Sequence, residues 1–186
     1  MPSHRQPLER LAERFRYQGR KFAFEAASLR LPNGAEGEFE TVRHPGGAMA
    51  VPVLPDGRFL LVRQYRFPLD RWLLEFPAGT LEPGEAPEAT IRRELEEETG
   101  YRAEDWSGLG HFPLAPGYSD ELIHAFLARE LTPLATPPAQ DLDGMTEVPV
   151  WAHPAVDQEI QAATNDQNDQ GHAPQEPGQG LQADVA

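Results

Sequence analysis

The chain reads as a mixed α/β fold: an α/β/α sandwich on a mixed sheet, preceded by a small antiparallel β unit. Three features predict it. The stretch 87–99 carries full helix chemistry, runs of β-type residues lie on both sides of it, and Gly- and Pro-rich turns separate those runs. With 186 residues there is material for one domain with a buried core, plus an appendage.

Taken in order, residues 1–20 are polar, with a short helix expected around Leu11 to Phe15. The alternation of Phe22, Phe24 and Ala26 marks a strand over 21–31. Pro32-Asn33-Gly34 forms a hairpin turn, and 38–43 return as a second strand. Such a small unit cannot bury both faces alone, so Phe22, Phe24 and Phe39 need another surface. After the break at His44-Pro45-Gly46-Gly47, residues 48–54 read as a buried strand, Pro55-Asp56-Gly57 as a turn and 58–65 as the next strand. The run 72–76 is apolar apart from Glu75 and leads through Pro77-Ala78-Gly79 into the helix. Beyond Gly100 come strand-like pieces at 106–112 and 121–128, joined by the turn-rich loop 114–121.

Residues 132–146 are proline-rich and read as a loop; 148–151 read as a last strand, which Pro149 weakens or places at an edge. A short helix at 155–163 closes the ordered part, and the polar composition of 164–186 predicts disorder. The expected organisation is therefore an N-terminal β unit over 1–44, a main α/β domain over 45–153 and a polar, largely disordered tail over 154–186.

Composition narrows the function. There is no cysteine, which removes disulfides and thiolate metal sites. No apolar run approaches a membrane span and the polar start MPSHRQPLER is no secretory signal, so a cytoplasmic protein is expected. The net charge of −14 argues against nucleic acid or an anionic membrane as partner. That charge is uneven: from Glu130 onward there are ten acids and no Lys or Arg, so the first 129 residues carry about −4 and the rest about −10. An anionic substrate would be met by arginines of the first part, helped by metal.

The chemistry gathers in GTLEPGEAPEATIRRELEEETGY, residues 79–101. Pro87 suits a first helical turn, Glu88 follows it, and Gly100 can take the left-handed conformation that ends a helix. On that helix Glu94, Glu97 and Glu98 lie three and four residues apart, so their carboxylates point to one side and can share a hard cation such as Mg²⁺. On charge pattern alone a solvated acidic face is the commoner outcome. The spacing Gly79, Glu85, Arg93, Glu94, Leu95, Glu97, Glu98, Gly100, Tyr101 reverses that judgement, because it resembles the Nudix hydrolase signature G-x5-E-x7-R-E-L-x-E-E-x-G-Y at every fixed position. The resemblance covers roughly residues 20–152 and implies a Nudix-type α/β/α sandwich.

Two further stretches, LVRQYRFPLDRWLLEFPAG and APGYSDE, resemble the ADP-ribose pyrophosphatase subgroup. That resemblance implies Mg²⁺ (Mn²⁺ as a possible substitute) held by Glu94, Glu97, Glu98 and the carbonyl of Ala78. Arg93 orients the glutamates, and Glu85 is an outer-shell or metal-proximal group. Arg63 and Arg66, at a strand end, contact the diphosphate or its sugar, with Pro116, Gly117, Ser119 and Glu121 forming a substrate loop. Tyr118, Phe67 and Trp72 are candidates to stack adenine or ribose against the commoner fate of core packing, and Trp72 reads as interface or core. His124 reads as packed and His44 as a turn residue. The subgroup places glutamates in the loop before the last strand, where this chain has Leu142 and Gly144. Asp141, Asp143 or Glu147 substitute as base, or the base comes from the box.

The resulting expectation is a Mg²⁺-dependent, homodimeric enzyme that hydrolyses ADP-ribose to AMP and ribose 5-phosphate. Its rivals are the same chemistry on another nucleotide sugar or dinucleotide (GDP-mannose, NADH) and a non-enzymatic nucleotide sensor.

Overall fold

The computed structural model describes residues 7–135 and 146–152, the last seven by backbone alone. Three sheets and one α-helix make up these residues. The N-terminal sheet has strands β1 (Glu9–Gln18), β2 (Ala23–Arg30) and β3 (Glu36–Arg43), all antiparallel with β2 in the middle. The turn between β2 and β3 falls on Asn33-Gly34, with Gly34 at φ 85° donating its N–H to the carbonyl of Leu31.

The helix expected around Leu11 to Phe15 is instead part of β1. Leu11 and Phe15 stay 38% and 54% exposed, so no apolar stripe holds a helix there. What holds the strand is long-range: Arg10 and Arg16 reach Glu25 and Arg14 reaches Glu38, while Phe15 lies 6.2 Å from Phe24. The N-terminal unit thus has three strands rather than a hairpin. Its covered residues in β2 are Ala23, Glu25 and Ala27, alternate to Phe24, and Phe22 is half exposed.

A mixed four-stranded sheet follows, in order β7-β4-β9-β8: β4 (Gly47–Pro52), β7 (Ala78–Thr80), β8 (Tyr101–Pro113) and β9 (Leu122–Pro133). Only β4–β9 is a parallel pair; β4–β7 and β8–β9 are antiparallel. The third sheet, β10-β5-β6, holds β5 (Phe59–Arg66), β6 (Arg71–Glu75) and β10 (Thr146–Ala152). Pro149 falls in the register break between Glu147 and Val150, and β10 pairs only with β5, the edge position that a proline tolerates.

Helix α1 (Pro87–Thr99) buries Thr90, Ile91, Leu95 and Thr99. Ile91 and Leu95 join Ala48, Ala50, Leu60, Ala103, Ala128 and Leu131 in one core that draws on β4, β5, β8 and β9. Small alanines on β4 and β9 let the helix approach the sheet closely, and full burial of each Leu or Ile contributes about 1.5–3 kcal/mol. The parallel β4–β9 pair makes the sheet mixed and the fold α/β, with one α-helix among the described residues. The expected helix at 155–163, the loop acids Asp141 and Asp143, and the tail lie outside the described residues. Among the described residues no helix is long and apolar enough to cross a membrane.

Candidate active site

Helix α1 has the ends its sequence dictates. Pro87 opens it, Glu88 lies in its first turn, and Gly100 at φ 70° closes it with its N–H on the carbonyl of Glu96 at 3.0 Å. Because Ile91 and Leu95 are fixed in the core, Glu94 and Glu98 emerge on the flank that faces β7. There the backbone N–H of Ala78 donates to Glu98 Oε2 at 3.1 Å. The carboxyl of Glu94 packs against Gly79, where a Cβ would stand 2.2 Å from it. The box glycine is therefore needed for space: its missing side chain makes room for Glu94.

Arg93 is the hub on the outer side. Its Nη1 donates to Glu94 Oε1 at 2.8 Å and Glu97 Oε2 at 3.0 Å, and its Nη2 to Glu85 Oε2 at 3.3 Å. Burial works against its charge, and the carboxylates of Glu85 and Glu94 outweigh that and raise its pKa. Glu85 is held below the usual carboxylate range by Arg93 and by a hydrogen bond with Thr90. The box thus brings Arg93, Glu85, Glu94 and Glu97 into one hydrogen-bonded group, with Glu98 next to Glu94 on the β7 side.

The expected convergence of three carboxylates is not seen: among the described residues no such set gathers around one point. Glu97 is 56% exposed and turned to Arg93. Glu94 and Glu98 are the sheltered pair. Burial pushes Glu98 up to about 8, with the nearby charge of Glu94 adding to it, and burial raises Glu94 as well. Two adjacent carboxylates taken out of water, backed by a strand whose Ala78 N–H already holds one of them, form a hard-oxygen donor set that suits a divalent cation.

The two strand arginines part company. Residues 63 and 66 are an odd number apart, so their side chains leave β5 on opposite faces. Arg66 shares a face with Leu60 and Val62, the side of α1, and its Nε donates to Glu75 Oε1 at 2.9 Å while Nη2 reaches Oε2 at 2.5 Å. That pairing raises the pKa of Arg66, and its charge and that of Glu75 both reach Glu98. Arg63 lies on the other face with its guanidinium 5.0 Å over the Trp72 ring, which also meets Tyr65 edge-on. Trp72 thus packs in this cluster, whereas Phe67 is 78% exposed.

Sequence reading passed over Glu75. The signal available was a single charge in the otherwise apolar run 72–76, and the register that pairs it with Val62 places it on the α1 side.

The loop 114–121 is a compact turn, with Tyr118 and Ser119 donating their N–H groups to the carbonyl of Ala115 and Glu121 N–H to Ser119 Oγ. It ends where β9 begins. Thr80, Gly47 and Ile123 form one row across β7, β4 and β9, so loop and box glycine flank the same end of the sheet. Pro116 and Gly117 are exposed, while Ser119 and Glu121 are half-buried. His44 serves the turn, its Nδ1 accepting from the Gly46 N–H at 3.1 Å. His124 is half-buried in β9 with its ring 5.4 Å from His111.

The NUDIX domain family matches residues 43–168. The chain is 42% identical over 132 residues to a protein of Bacillus subtilis named ADP-ribose pyrophosphatase, covering 71% of each. It is 41% identical over 116 residues to one of Bacillus methanolicus named methanol dehydrogenase activator, covering 62% of this chain and 63% of that one. In fold it is similar to a crystal structure of an ADP compounds hydrolase, with a TM-score of 0.66 at 23% identity over 89% of this chain and 85% of the other. With the box geometry and a family match over most of its length, the chain belongs to the Nudix family of hydrolases.

Proposed function

We propose that this chain is a Mg²⁺-dependent pyrophosphatase, with Mn²⁺ as substitute, that cleaves the diphosphate of ADP-ribose to AMP and ribose 5-phosphate. The observation that carries the reading is the sheltered Glu94–Glu98 pair on α1, facing the Ala78–Gly79 strand with Arg66 and Glu75 beside it. Glu94, Glu98, Glu97 and the carbonyl of Ala78 would hold the cation. When bound, it supplies positive charge to a diphosphate whose own oxygens repel an incoming hydroxide, and it lowers the pKa of water.

The chain's own groups do the rest. Arg93 keeps Glu85 and Glu94 in position, and Glu97, turned to Arg93, would swing from it to join Glu94 and Glu98 on the cation. Glu75 fixes the plane of the Arg66 guanidinium, which still has donors free of Glu75 to meet a phosphate oxygen. Ser119 and Glu121 of the loop offer polar groups at the same sheet end for the sugar. Glu147 lies on β10 opposite Arg63 and remains a candidate base beside Asp141, Asp143 and the box. The half-exposed Phe22, just before β2, supports a homodimer, and the name of the Bacillus subtilis relative favours ADP-ribose among diphosphates.

The test is turnover of ADP-ribose, GDP-mannose and NADH with Mg²⁺ and with chelator, with products separated by chromatography. AMP and ribose 5-phosphate formed fastest from ADP-ribose, and only with metal, are expected. Preferred turnover of another member of the panel would replace the substrate, and no turnover of any would point to a sensor.

A further inference from the structure

Glu25 occupies the middle of the N-terminal sheet with its side chain only 6% exposed, an unusual place for a charged group. Three arginines cover it: Arg10 at 2.7 Å, Arg16 at 3.1 Å and Arg43 at 3.0 Å. The Arg43 hydrogen bond leads the influences that hold its carboxyl below the usual range. Arg43 is the last residue of β3, and its guanidinium bridges two carboxylates. Its Nε donates to Glu25 Oε2, and its Nη1 to Asp120 Oδ2 at 3.0 Å. Asp120 in turn accepts the N–H of His44 on Oδ1 at 2.9 Å. Beside this pair the Val42 N–H donates to the carbonyl of Tyr118 at 2.7 Å, and the Asp120 N–H to the carbonyl of Val42 at 3.3 Å.

Among the described residues, every hydrogen bond that ties residues 118–120 to the rest of the protein outside the loop ends on Val42, Arg43 or His44. The loop is therefore held from the end of β3, and the orientation of that end is set by Glu25 on the neighbouring strand β2. We propose that Glu25 and Arg43 are positioning residues: the Glu25–Arg43–Asp120 chain fixes the conformation of loop 114–121, and so the affinity for substrate. The guanidinium fork suits this task, because its planar donors hold two carboxylates in a set geometry that a point charge cannot. Loss of Arg43 leaves Glu25 its bonds to Arg10 and Arg16, so the sheet keeps its central charge paired, while the loop keeps its bonds to Val42 and His44 but loses its link to Glu25.

This inference rests on the reading of the loop as a substrate contact, and its test separates the two. Arg43→Ala and Asp120→Ala are each expected to raise KM for ADP-ribose by about 10-fold with kcat within about 3-fold of wild type, because a lost charge-assisted bond loosens binding without touching the reacting atoms. The double variant is expected to match Asp120→Ala alone, since that substitution already removes the Arg43 link together with the bond from the His44 N–H. Arg43→Lys, which can reach one carboxylate but not hold both, is expected to fall between.

Hydrogen–deuterium exchange gives a readout independent of turnover: Arg43→Ala is expected to speed exchange at residues 118–121 and leave α1 unchanged. Multiplying KM effects in the double variant, a loss of kcat at constant KM, or unaltered loop exchange would each overturn the proposal. If wild type turns over no nucleoside diphosphate, the proposed function falls while the exchange result still decides the tether.

Discussion

Replacing Glu98 with glutamine removes a charge from where the fold tolerates it least. Its carboxyl is moved from 4.5 to about 8, chiefly by burial. At about 1.36 kcal/mol per pH unit this is roughly 5 kcal/mol for the fully ionised group. Relaxation at the helix end takes up part of it, so about 2–5 kcal/mol is expected. The sign follows from proton binding. Between pH 4.5 and about 8 the folded protein holds this proton more tightly than the unfolded chain does. Stability therefore falls as pH rises through that window and levels off above it. Glutamine keeps the shape, can still accept the Ala78 N–H and does not titrate. Urea unfolding followed by circular dichroism, in chelator at pH 5 and pH 9, should show Glu98→Gln gaining on wild type as pH rises. Excess Mg²⁺ at pH 9 should return the advantage to wild type, which alone has the full donor set. A wild-type-minus-variant difference that is the same at both pH values, within about 0.5 kcal/mol, would refute the burial of this charge.

Gly79→Ala would place a methyl 2.2 Å from the Glu94 carboxyl, the flexible end of a side chain. The fold should survive within about 1 kcal/mol while Glu94 is displaced, and Mg²⁺ titration of turnover should show weaker binding. Glu94→Gln and Glu97→Gln should each lower turnover of ADP-ribose on the order of 10²-fold, measured with folding confirmed by circular dichroism. Wild-type rates in both would remove the metal reading of α1. Light scattering should give the mass of a dimer at micromolar concentration; a folded monomer would contradict the homodimer.

The box was legible because its chemistry is local. The cap at Gly100, the proline at the first turn and the three- and four-residue spacing of the glutamates all act within one helix, and α1 has the bounds 87–99 read from the sequence. The turns at Gly34 and Gly57 are local too, each with positive φ. What escaped depends on distant partners. Residues 9–18 carry five charges and no apolar period, and they become a strand because Glu25 and Glu38 lie across from their arginines. Nothing in the neighbours of Glu25 announces burial; the arginines that permit it are 15, 9 and 18 positions away. The separation of Arg63 from Arg66 was within reach, since alternation along a strand assigns them to opposite faces once β5 is accepted. A motif read as a string of letters hides that parity.

Charge around the box sets a further expectation, on the order of the reaction in metal. Glu75, Glu85, Glu94, Glu97 and Glu98 stand against Arg66 and Arg93, five carboxylates and two guanidinium groups, a net −3 when all are ionised. A diphosphate adds about one negative charge on each phosphate. Both arginines are engaged with carboxylates and already counted in that balance, so neither adds positive charge beyond it. One divalent ion leaves the empty site at −1, still repelling the diphosphate, whereas two bring it to +1. Oppositely charged partners gain most when the site has shed water, so this difference decides whether substrate is held at all. The initial rate should therefore rise with free Mg²⁺ at an apparent order above one, at subsaturating metal and fixed ADP-ribose. In Glu97→Gln, which removes one negative charge from the exposed side, the order should fall toward one. A wild-type rate that follows a simple first-order saturation in Mg²⁺ would show that a single cation suffices and that the charge balance drawn from these seven side chains is wrong.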